Sequence, residues 1–280
     1  MTPGQAQLAA AVRQVLPSVR ADLERLVRIP SVSADPAAAP HLWASAGQVA
    51  ALLREAGLPE VDVVTAGDSR PAVLGRRPGP PGAPTVLLYA HYDVQPPGEA
   101  AAWDGDPFEP AERDGRLYGR GAADDKAGVA VHLAVLRACR IAYRDSLPVG
   151  VTVLVEGEEE IGSPALPVFL RAYRDRLAAD VVLLVYASFA APFTARRGGR
   201  AYRAARSALD EAWGTPAVDV GAGGSIPFVT GYAGLFPDAE ILITGVADPD
   251  TRAHDANESL HLATFERACV AEALLLHAIA

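Results

Sequence analysis

Three short runs in this chain, residues 85–90, 149–155 and 181–185, are apolar at nearly every position. A strand with one face in water alternates apolar and polar residues. A run that is apolar on both faces belongs inside a sheet covered on both sides. The segments between these runs carry apolar residues at helical spacing. Strands alternating with helices give an α/β layer architecture, here a mostly parallel central sheet with helices on both faces.

The expected elements follow from periodicity and breakers. A long helix covers 5–28, with Pro17 as a kink or break, and ends ahead of Ile29-Pro30. A second helix covers 41–56 and closes on Gly57. Strands at 61–65, 71–75 and 85–90 precede a stretch, 91–123, that is rich in Pro, Gly and Asp and has little periodicity. A connection this long inside a compact domain is usually functional. Beyond it come helix 126–141, strand 149–155, helix 163–177 with Ser163 as N-cap ahead of Pro164, and strand 181–185. Residues 187–200, ending in Arg196-Arg197-Gly198-Gly199-Arg200, read as a linker. Helix 201–213, strand 217–220, helix 227–235, strand 240–245 and helix 260–278 complete a single domain over 1–280.

Lys and Arg number 25 against 34 Asp and Glu, a formal charge of −9, with no basic stripe. That argues against nucleic acid or an anionic membrane as partner. No apolar run approaches the ~18 residues of a bilayer span. Arg13, Arg20, Asp22, Glu24 and Arg25 at helical spacing are unlike a signal peptide, so a cytoplasmic protein is expected. Cys139 and Cys269 each lie in a helical apolar pattern and read as buried core thiols.

The strand ends carry the chemistry. His91-Tyr92-Asp93 follows strand 85–90, Glu156 to Glu160 follows strand 149–155, and Gly119-Arg120-Gly121 leads to Asp124-Asp125-Lys126 at a helix start. After strand 240–245 comes Ala253-His254-Asp255-Ala256-Asn257-Glu258. Ligands of open α/β sheets bind beyond the carboxyl ends of strands. Imidazole with several carboxylates is a zinc-type donor set, and a spare carboxylate beside a ligand supplies a general base. Each piece has a plainer reading: His91 as a satisfied histidine, Asp124-Asp125 as helix N-terminal charge, Glu158 to Glu160 as a solvated run. Their order in one chain is what core packing does not explain.

In that order the chain resembles the co-catalytic zinc hydrolases that include carnosine-type dipeptidases, acetylornithine deacetylase, succinyl-diaminopimelate desuccinylase, aminoacylase and carboxypeptidase G. The dipeptidase branch is closest, through Tyr89-Ala90-His91-Tyr92-Asp93-Val94-Gln95-Pro96, Asp114-Gly115-Arg116-Leu117-Tyr118-Gly119-Arg120-Gly121 and Gly223-Gly224-Ser225-Ile226-Pro227. The resemblance implies that His91 ligates one metal, with Asp93 fixing its tautomer. It implies that Asp124 bridges two metals, next to Asp125 through a cis peptide. Glu160 and His254 would hold the second metal and Glu159 would be the general base. The ions would be zinc, one or two, with cobalt or manganese possible. The substrate would be a small peptide or an N-acyl amino acid, its carboxylate held by the amides of Gly223, Gly224 and Ser225. For that glycine cluster the plainer reading is an ordinary tight loop.

Three departures qualify the resemblance. Relatives end the strand after the Glu-Glu motif on an Asp or Glu that completes the His91 site. Counting from Asp180, Tyr186 stands there, and a neutral phenol of pKa ~10 is a poor ligand. The chain also passes directly from Ala187 through the linker to the next helix, where relatives insert a lid domain that carries the dimer surface. A monomer or weak oligomer is expected. Finally, Gly221-Ala222 replaces an Arg-Glu pair. A metal-dependent dipeptidase is the leading reading. The alternatives are an N-acyl amino acid deacylase or a lidless metal-binding scaffold with little activity.

Overall fold

The computed structural model describes residues 1–185, 194–220 and 227–280. The chain opens with α1 (Pro3–Val27) and α2 (Ala39–Glu55), then β1 (Glu60–Val64), β2 (Ala72–Arg77) and β3 (Thr85–His91). Two short strands, β4 (Ala111–Arg113) and β5 (Arg116–Tyr118), precede α3 (Lys126–Ala142) and β6 (Gly150–Glu156). Next come α4 (Leu166–Ala172), α5 (Arg174–Leu177), β7 (Val181–Val185), α6 (Arg200–Trp213) and α7 (Pro227–Leu235). The chain closes with β8 (Glu240–Thr244), β9 (Ser259–His261) and α8 (Leu262–Ile279).

Six strands form the central sheet in the order β1-β2-β6-β3-β7-β8. The pairs β6–β3, β3–β7 and β7–β8 are parallel, and the β1 and β2 margin is antiparallel. Along β3 the side chains alternate between two cores. Val86, Leu88 and Ala90 join the cluster under α1, α2, α3, α6 and α8, while Leu87 and Tyr89 join the one under α4, α5 and α7. A strand can be apolar throughout only if both faces are covered, which is the arrangement here. The parallel registers bring His91 opposite Glu156, so the polar residues after β3 and β6 emerge at the same edge of the sheet.

Several elements differ from the sequence expectation. Pro17 neither breaks nor ends α1, which runs unbroken to Val27 with Leu8, Val12, Val19 and Leu23 buried. Its packing against α3 and α8 outweighs one missing backbone bond. Thr2 and Gln5 cap its start reciprocally, at 3.3 and 2.7 Å. The helix expected over 163–177 begins only at Leu166 and is divided into α4 and α5. Ser163 does not cap it; its φ is 51°, and the Glu158 carboxylate accepts the Ala165 amide instead, at 2.8 Å. Residues 217–220 form no strand: Val218 and Val220 are 78% and 82% exposed, and they pair with no strand among the described residues. Within the stretch 91–123, β4 and β5 join β9 in a small three-stranded sheet.

Cys139 and Cys269 are buried and unpaired, as expected. Among the described residues no helix is long and apolar enough to cross a membrane. Of the expected linker, residues 194–199 hold no regular element, Arg200 already opens α6, and 187–193 lie outside the described residues.

Candidate metal centre

His91 ends β3 fully buried, and both ring nitrogens have defined surroundings. Nδ1 lies 3.0 Å from the Asp93 main-chain oxygen and 3.4 Å from its carboxylate. Nε2 points the other way, 3.2 Å from Asp124 Oδ1 and 3.6 Å from Glu159 Oε2. The Asp93 carboxylate does a second job: it accepts the amides of Glu159 and Glu160, at 3.2 and 3.0 Å. It thereby ties the turn after β6 to the turn after β3.

Asp124 stands between two imidazoles. Its Oδ1 faces His91, and its Oδ2 faces His254 Nε2 at 2.8 Å. Both oxygens are buried and, among the described residues, have no hydrogen-bond partner beyond these two imidazoles. His254 Nε2 is also 3.1 Å from Glu160 Oε2. Glu160 is steadied in turn by Gln95, whose Nε2 donates to its carboxylate and to its main-chain oxygen, both at 2.9 Å. The peptide bond between Asp124 and Asp125 is cis. Asp125 accepts the His91 amide at 3.2 Å, and Gly128 makes room for it: a Cβ there would stand 2.5 Å from Asp125 Oδ1.

The charges follow from this crowding. Asp124 pushes His254 up to about 10, with Glu160 adding to the effect. Burial opposes a charge on His91, but the carboxylates of Asp124 and Asp93 outweigh it and raise that imidazole well above its ordinary value. Burial likewise works against ionised Asp124, and His254 and His91 overcome it, holding the carboxyl below the usual carboxylate range. Without an ion, the raised imidazoles offset part of the carboxylate charge. A divalent cation would take over that role and release the protons. Donor atoms of His91, Asp124 and Glu160 lie within 4.8 Å of one another. Nitrogen and carboxylate donors of this kind suit zinc, cobalt or manganese, which would take the place of the imidazole protons beside the Asp124 oxygens.

Sequence reasoning placed His91, Asp93, Asp124, Asp125, Glu159, Glu160 and His254, and the fold brings all seven together at one edge of the sheet. Gly223, Gly224, Ser225 and Tyr186 lie outside the described residues. Three supporting groups went unassigned: Gln95, Glu158 and Glu258. Gln95 and Glu258 lie inside the very motifs quoted above, but only folding shows that they are turned inward.

Known proteins share both the sequence and the shape. Residues 87–189 match the model of peptidase family M20/M25/M40. The chain is 40% identical over 137 residues to a cysteinylglycine-S-conjugate dipeptidase of Corynebacterium striatum, covering 49% of this chain and 30% of that protein. It is 33% identical over 132 residues to a succinyl-diaminopimelate desuccinylase of Wolbachia pipientis, covering 46% and 32%. The matched segments therefore span about a third of these relatives' length. The solved structure of the di-peptidase Dug1p from Saccharomyces cerevisiae superposes with a TM-score of 0.89 at 15% identity, covering 100% of this chain and 99% of that one.

Proposed function

We propose, from the match of residues 87–189 to the model of peptidase family M20/M25/M40, that the chain is a metal-dependent hydrolase of peptide bonds in small peptides. The observation that carries the reading is the Asp124 carboxylate, buried between two imidazoles, facing His91 with one oxygen and His254 with the other. Asp124, Glu160 and His254 would hold one ion, and His91 with Asp124 a second, weaker one. Zinc is the first choice, with cobalt or manganese as alternatives. When bound, the metal supplies Lewis acidity toward a scissile carbonyl and toward water. Glu159 takes the proton from water at its carboxylate and returns it to the leaving amine. Asp93 keeps Glu159 and Glu160 on station by holding their amides. Asp125 orients His91 through its main chain. On sequence grounds we assign the substrate carboxylate to the amides of Gly223, Gly224 and Ser225.

We take 1–280 as one catalytic domain, with 187–200 a short linker where relatives carry a lid, and the protein as a monomer or weak oligomer of the cytoplasm. The unpaired thiols of Cys139 and Cys269 support that compartment. A second reading, an N-acyl amino acid deacylase, is favoured by the likeness to the desuccinylase.

The test is turnover of a dipeptide and N-acyl amino acid panel by chelated protein reconstituted with zinc, cobalt or manganese. Activity should appear only with metal, and Glu159→Gln should keep the metal while losing on the order of 10²-fold or more in rate. A fully loaded protein that turns over nothing would make the chain a metal-binding scaffold instead.

A further inference from the structure

Glu258 is fully buried, and each of its oxygens accepts two hydrogen bonds. Oε2 receives Arg120 Nη1 at 2.7 Å and the Gly121 amide at 3.0 Å. Oε1 receives the amides of Ala123 and Asp124, at 2.9 and 3.0 Å. Its main-chain oxygen accepts the Gly119 amide at 3.0 Å. Arg120, 1% exposed, supplies the countercharge and reaches the Pro96 carbonyl with its other arm at 3.3 Å. The loop from Gly119 to Asp124 is therefore wrapped around one carboxylate.

That carboxylate lies four residues after His254. We propose that Glu258 is a positioning residue of the metal centre, fixing the Asp124 carboxylate in register with His254. The inference rests on the metal assignment made above. The chain reaches the cluster by two distant routes, one through Asp124 and one through His254. Glu258 is where those routes are bonded to each other, and the bond ends on the amide of the bridging residue itself. The residue type is dictated by the donors. Both oxygens face two N–H groups, so a glutamine in either orientation sets its NH₂ against a pair of donors. A buried donor left unpaired pushes the loop away from that point. Gly121, at φ 80°, allows no easy adjustment, since a Cβ there would meet Val94 at 2.6 Å.

A purely structural carboxylate would cost stability alone, so the comparison needs a second buried acid. Asp22, 3% exposed, pairs with Arg137 at 2.6 Å on α1, away from the cluster. Wild type, Glu258→Gln and Asp22→Asn are titrated with Co²⁺, reading affinity and the visible absorption bands, and their metal-free melting temperatures are recorded. Both variants should melt lower than wild type. Glu258→Gln should also bind Co²⁺ at least about tenfold more weakly and with altered bands, while Asp22→Asn stays within about twofold. Cobalt affinity within about twofold of wild type in Glu258→Gln overturns the proposal, as does an equal loss in Asp22→Asn. If Glu258→Gln does not fold, Arg120→Lys decides: it keeps the three amide donors but loosens the carboxylate, and unchanged affinity there is equally fatal. Wild-type protein that takes up no cobalt refutes the metal reading and this inference with it.

Discussion

His254 has a left-handed backbone, φ 66°, that turns its ring back toward the sheet edge and into contact with Asp124 and Glu160. Those carboxylates lift its pKa from 6.5 to about 10 in the metal-free protein. The folded state then keeps a proton that the unfolded chain has released, so stability falls with rising pH wherever the two differ. The stabilisation is complete below about 6.5 and is lost as pH climbs through about 10. Chelated wild type should therefore melt progressively lower across that window, and His254→Gln should show a shallower decline. With a cation in place the proton is already gone, and the same window should be flatter. Melting curves of both proteins across that pH range, with and without metal, check this. A chelated wild type no steeper than His254→Gln would remove the charge coupling. At this scale the sequence was informative, because His91, Asp124, Glu159, Glu160 and His254 follow strand ends or open a helix, where ligands bind. Glu258 was opaque. Nothing in its neighbours marks it as buried, and its four donors come from a loop that begins at Arg120.

Elements are joined by buried polar pairs as well as by apolar packing. Glu272 of α8 meets His132 of α3 at 2.7 Å, and the other His132 nitrogen lies 3.0 Å from the Tyr89 carbonyl of β3. Burial disfavours a charged His132, but Glu272 outweighs it and raises the imidazole. The pair therefore stabilises most fully below the ordinary histidine value and loses its effect as pH rises past the raised one. Glu272→Ala would leave His132 charged or awkwardly neutral in the core, a loss of about 3–5 kcal/mol for a broken buried pair. Denaturant unfolding near pH 6 should show it with metal content unchanged; a loss below about 1 kcal/mol would mean that the pair is already neutral. The legibility of elements sorts by the same physics. β3, β6 and β7 could be read because burial on both faces leaves long apolar runs. β5 and β9 could not, because three residues are too few to show a period and their pairing joins Arg116 to His261 across the chain. Residues 217–220 misled for the opposite reason: Val218 and Val220 alternate as a strand would, yet they pair with no strand among the described residues.

The whole molecule draws its proposed metal ligands from four separate pieces of chain. The end of β3, the loop before α3, the turn after β6 and the loop before β9 converge on the cluster of His91, Asp124, Glu159, Glu160 and His254, tied beside it by the amides that Asp93 and Glu258 accept. The sheet beneath them is held by two continuous cores and does not depend on the cluster. An ion there would act as a cross-link between loops resting on a preformed floor. Because it binds the folded state alone, free metal at 100 times its dissociation constant should add about 2.7 kcal/mol. For a domain of this size that is roughly 5–10 °C in melting temperature. Chelation should therefore lower the melting temperature by about that amount without unfolding the protein. Hydrogen exchange should quicken in the four ligand-bearing segments, while the amides of β3, β6 and β7 stay protected. A melting temperature indifferent to chelator, or exchange that rises uniformly through the central strands, would contradict this division between a metal-tied rim and a self-supporting sheet.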